Sequence, residues 1–113
     1  MDILGCVIEK ASNMSFGNFL KKNIFEPLQM NDTFFKVPEA KRSRMTNLYA
    51  HHNAFKAFSV DIPKELKGKK PKMYLIDSSR DSLFYKNITV EDGGSGLVST
   101  ASDYSNFAQM LLD

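Results

Sequence analysis

Residues 93–96 read Gly93-Gly94-Ser95-Gly96 and run directly into Leu97-Val98-Ser99-Thr100, so several glycines stand beside a hydroxyl. Glycine admits positive φ and lets a ligand or another backbone come close, which suits phosphate binding, dinucleotide binding or acyl transfer. Each chemistry demands more than glycine. A phosphate cradle closes with Lys-Ser/Thr, a dinucleotide fingerprint needs a third glycine where Ser99 stands, and a nucleophile elbow needs glycine where Leu97 stands. None of these is met, which leaves a tight turn feeding a helix N-terminus and no nucleophile-and-base pair.

The remaining candidates are weaker. His51-His52 are the two histidines of the chain, and consecutive residues on an extended strand point to opposite faces, so they do not converge on one ion. No metal site is expected. Lys64, Lys67, Lys69, Lys70 and Lys72 lie between Phe58 and Tyr74, which imitates a basic patch with stacking aromatics; Glu65 and nearby Asp61 make it read as a solvated loop. The single cysteine, Cys6, falls between Leu4 and Val7 and reads as packing, since only Lys10, one turn on, stands near enough to lower its pKa.

Composition narrows the classes further. At 113 residues and 42% hydrophobic, with nine Phe and four Tyr, the chain has the material for a core. Fifteen Lys plus Arg against thirteen Asp plus Glu leave +2, too small a charge to make nucleic acid the default partner. No stretch approaches the roughly 18 apolar residues of a membrane span, and no export signal is visible.

The elements that must carry the loop follow from periodicity. Ile3, Leu4, Val7, Ile8 and Ala11 recur at helical spacing, predicting an amphipathic helix over 2–12 that stops at a left-handed Asn13. Ser15 caps a second helix with Phe16, Phe19, Leu20 and Ile24 on one face; Pro27 ends it and disfavours helical geometry at Glu26. A short strand at Thr33-Phe34-Phe35, a short charged helix after Pro38, an extended Leu48-Tyr49-Ala50 and a Lys-rich loop or hairpin tip over 63–71 come next. Thr100-Ala101-Ser102-Asp103 has the form of a capping box, in which the hydroxyl takes a first-turn amide and the carboxylate reaches back. It opens a helix with Tyr104, Phe107, Ala108 and Leu111 on a buried face, running to Asp113 without a C-cap.

Three stretches then combine: Ile3-Leu4-Gly5-Cys6-Val7-Ile8-Glu9-Lys10, Ile24-Phe25-Glu26-Pro27-Leu28-Gln29-Met30-Asn31-Asp32-Thr33, and Gly93 to Leu112. Together they resemble the serine β-lactamase and penicillin-binding-protein-like hydrolases, closest to the class C and esterase-like branch. The most specific runs are Phe-Glu-Pro-Leu-x-Met-x-x-Thr and Gly-Leu-Val-Ser-Thr-Ala-Ser-Asp-Tyr, and the likeness covers roughly half the chain. Two positions depart from it: Gln29 and Asn13 stand where such sequences have glycine.

The resemblance implies an α+β class, mostly helical with short strands, as part of a β-lactamase-like (DD-peptidase-like) fold. It also implies chemistry by acylation of a serine and then hydrolysis of a β-lactam, peptide or ester. The family's S-x-x-K and K-T-G elements are absent from these 113 residues. The Tyr-x-Asn motif would fall a few residues upstream of Met1, and Tyr104-Ser105-Asn106 only imitates it. The expectation is therefore an interior piece of a domain spanning residues 1–113, the helical wall of the cleft, cut at both ends and inactive alone. Gly93, Gly94, Ser95 and Gly96 would line that wall, with no catalytic residue, no metal and no cofactor. The rest of the parent domain would be its packing partner, and the setting extracytoplasmic. The alternative is an interaction module that binds an acidic partner through residues 64–72.

Overall fold

The structure, a computed structural model, describes residues 2–51 and 73–112. His52 and the lysines of 64–72, with the interaction surface expected of them, lie outside the described residues. The class is α+β: helices together with a two-stranded antiparallel sheet. The chain divides into two compact units, residues 1–38 with 84–113, and residues 39–83.

In the first unit, α1 spans Asp2–Ser12 and stops at Asn13, whose φ of 55° is the left-handed conformation expected there. Its apolar stripe is not buried among the described residues: Ile3 is 79% exposed, and Leu4 and Val7 are exposed too. Cys6 is likewise exposed rather than packed, because α1 turns its Gly5 side inward. Helix α2 spans Phe16–Leu20 and is capped by Ser15, whose Oγ accepts the Asn18 N–H at 3.3 Å.

The helix then widens into a π-helical turn over Lys21–Phe25, closed by the Glu26 N–H on Lys21 O at 2.9 Å. Glu26 therefore keeps right-handed helical angles (φ −65°, ψ −49°) despite Pro27, contrary to the sequence expectation. The missing proline donor falls between two satisfied amides, since Leu28 N–H reaches Ile24 O at 3.1 Å. Gln29 follows at φ 55°. Phe16, Phe25, Met30, Phe35 and Val37 form the core, with the Phe16 and Phe35 rings 5.9 Å apart and tilted by 49°.

The short strand expected at 33–35 reduces to one antiparallel bridge, Phe34 with Val98, with N–H to O distances of 2.9 and 2.8 Å. Helix α3 spans Ala101–Met110 and ends there, the Leu111 and Leu112 amides folding back on Ala108 and Gln109. Its buried residue is Asp103; of the apolar face expected to be buried, Phe107 and Ala108 are half-buried, whereas Tyr104 and Leu111 are exposed.

The second unit begins with a 3-10 turn at Glu39–Arg44, as the charged stretch after Pro38 foretold. Strands β1 (Leu48–His51) and β2 (Met73–Asp77) pair antiparallel, Ala50 opposite Tyr74 and His51 opposite Met73, with an irregularity between Leu48 and Tyr49. Asp77 stitches the following turn: its Oδ2 accepts the hydroxyl of fully buried Ser82, and its Oδ1 the Leu83 N–H at 3.0 Å.

Candidate functional site

The loop over 91–98 is shaped first by its own side chains. Asp92 folds back on it, accepting the Gly94 N–H at Oδ1 (2.7 Å) and the Ser95 hydroxyl at Oδ2. Gly96 then turns at φ 92°, a conformation that L side chains rarely adopt, and lies over the Phe35 ring. The hydroxyl of Ser95 is thus engaged by a carboxylate within its own turn, and this contact shapes the loop.

Outside the turn, the loop is tied down at both ends. At its start, the Glu91 carboxylate accepts the Gly17 N–H in the first turn of α2, beside Glu9 Oε1, which accepts the Phe16 N–H at 2.8 Å. The Glu91 carbonyl and the Gly93 amide lie against Gly5 of α1, where an added Cβ would meet each at 3.6 Å. At its end, Val98 bridges Phe34, and Thr100 caps α3 by accepting the Asp103 N–H at Oγ1 (3.2 Å).

Half of the expected capping box is therefore present. The Asp103 carboxylate does not reach back to the cap. It is buried, and its Oδ2 accepts the Asp32 N–H at 2.7 Å and the Thr33 hydroxyl at 2.9 Å, while Thr33 Oγ1 lies 2.8 Å from Ser99 Oγ. A carboxylate near a helix N-terminus is favoured in either arrangement; here it joins α3 to the segment after the π turn. Asn106, the third residue of Tyr104-Ser105-Asn106, donates from Nδ2 to Leu28 O at 3.0 Å, while Tyr104 is exposed.

All four residues named from sequence, Gly93, Gly94, Ser95 and Gly96, are therefore together in one turn, with Gly94 and Ser95 exposed. Sequence reasoning missed the residues that hold the turn: Glu91, Asp92, Gly17 and Gly5. A signal existed for the last two, since glycine inside a helix costs stability and needs a packing reason. A groove of about 690 Å³ in the same unit is lined by Gly17, Lys21, Phe25, Met30, Phe35 and Glu91. Its lining carries charges of both signs, Lys21 Nζ lying 3.9 Å from Glu26 Oε1. No group of three or more metal-ligating side chains occurs among the described residues.

No curated protein matches the chain. The model of the Beta-lactamase family, in contrast, matches residues 1–113. That match takes in the three stretches whose residues build the clamped loop and its supports, and the chain belongs to the Beta-lactamase family.

Proposed function

We propose that this chain supplies the helical cleft wall of a β-lactamase-like (DD-peptidase-like) serine hydrolase, and that the nucleophile and its base come from elsewhere in the parent domain. The observation that carries the reading is a family match over residues 1–113 in a sequence with no S-x-x-K and no K-T-G. The parent reaction is acylation of a serine by a β-lactam, peptide or ester, followed by hydrolysis of the acyl-enzyme.

In this reading the turn Gly93-Gly94-Ser95-Gly96 lines the cleft. Its small residues let a substrate pass close to backbone, and its exposed Gly94 and Ser95 support that duty. The exposed stripes of α1 and α3 then meet the rest of the parent domain, which is the packing partner. No helix among the described residues is long and apolar enough to cross a membrane. An extracytoplasmic setting rests on the family likeness.

The test is direct. The chain alone, incubated with nitrocefin, an activated ester and a labelled penicillin, is expected neither to turn over the first two nor to retain the label. Saturable labelling of Ser95, located by mass spectrometry, would overturn the assignment of the nucleophile to another part of the domain.

A further inference from the structure

We infer that Glu91 is a positioning residue: its carboxylate, accepting the Gly17 N–H of α2, latches the glycine turn to the helical body. In this arrangement the carboxylate occupies the space that a side chain at position 17 would take. Three observations converge on this. The Gly17 N–H donates to Glu91 Oε2 across 74 residues of sequence, so the bond fixes tertiary placement rather than local geometry. A Cβ built on Gly17 would stand 2.5 Å from Glu91 Oε1 and 2.9 Å from its Cδ, so the carboxylate would have to move off the amide. The turn begins one residue later, where Asp92 takes the Gly94 amide.

The latch acts at one end only. Val98, held independently by Phe34, anchors the other, and Gly96 at φ 92° lets the backbone turn between them. Releasing Glu91 therefore loosens the start of the turn while the Phe34 bridge and α3 stay in place. The neighbouring Phe16 amide is held separately, by Glu9 Oε1. A hydrogen bond from an amide to an ionised carboxylate is among the stronger ones, and its loss in a part-buried setting frees the attached segment. The consequence for substrate rests on the cleft-wall reading above; the latch itself does not.

The experiment is amide hydrogen exchange on the full 113-residue chain, followed by NMR at Gly17, Gly94, Val98 and Tyr104. Glu91→Ala is expected to speed exchange at Gly17 and Gly94 by about tenfold, with Val98 and Tyr104 at wild-type rates. Glu91→Gln, which keeps an acceptor oxygen, restores most of the protection. Glu91→Asp, drawn back by one methylene, does not, and this pair decides the matter should Glu91→Ala fail to fold.

Gly17→Ala speeds Gly94 as Glu91→Ala does, although alanine is the better helix former. The double variant loosens the turn no more than either single change. Wild-type exchange at Gly94 in Glu91→Ala, equal rates in Glu91→Gln and Glu91→Asp, or a double variant showing the product of the two single effects would each overturn the latch. A fast-exchanging turn in Glu91→Ala with Ser95 labelled by penicillin would instead keep the latch and reject the cleft-wall reading.

Discussion

Gln29 holds φ 55°, where the Cβ of an L residue crowds the following carbonyl and costs roughly 1–2 kcal/mol. The family likeness has glycine at this position, and the backbone explains it. Gln29→Gly is expected to raise stability by about 1 kcal/mol, after allowing for the extra freedom glycine gains in the unfolded chain. Urea unfolding reads it as a higher midpoint at constant slope, and a lowered midpoint would count against the strain. Asn13, also at φ 55°, should gain little from glycine, because a short polar side chain tolerates this region. Asp103 behaves oppositely. Removing its buried carboxylate leaves the Asp32 N–H and the Thr33 hydroxyl without that acceptor, so Asp103→Ala should cost about 2–3 kcal/mol.

Helix α3 carries two separable contributions at its N-terminus. Thr100 satisfies a local amide, a role worth about 1 kcal/mol, and Thr100→Ala should lose that much. Asp103 ties the same turn to residues 32 and 33. Because the two groups share one helix end, their losses should not add, and a double-variant cycle is expected to show coupling of at least about 0.5 kcal/mol. Strict additivity by thermal or urea unfolding would mean that the cap and the tertiary tie act independently. In α2, the switch from α to π geometry lets the chain pass Pro27 without leaving the helical region, which periodicity alone did not anticipate.

Across the whole molecule, the most telling property of the first unit is what it leaves uncovered. Ile3, Leu4 and Val7 on α1, and Tyr104, Leu111 and Leu112 at α3, are exposed among the described residues. Each large apolar side chain left in water forgoes roughly 1.5–3 kcal/mol of burial. Contiguous apolar surface of this kind binds dyes and other copies of the chain. The isolated chain is therefore expected to bind ANS and to associate in a concentration-dependent manner on size-exclusion chromatography. Leu4→Lys and Leu111→Lys should each weaken both signals. A monomer with low ANS fluorescence at every concentration would show that these stripes need no partner, and would remove the support they lend to the cleft-wall reading.

The sequence by itself determined the local elements: the N-caps Ser15 and Thr100, the left-handed stop at Asn13, the turn over Gly93, Gly94, Ser95 and Gly96, and the family. These depend on neighbours within about four residues, or on runs such as Phe25-Glu26-Pro27-Leu28 that are readable as strings. Which face of each helix turns inward was not readable, because periodicity identifies an apolar stripe but not what stands against it. Tertiary structure decided that α1 packs through Gly5 and α3 through Asp103, and that Glu91 reaches Gly17. Those choices join residues about 70 or more positions apart, where a carboxylate in a sequence says nothing of which amide it will meet.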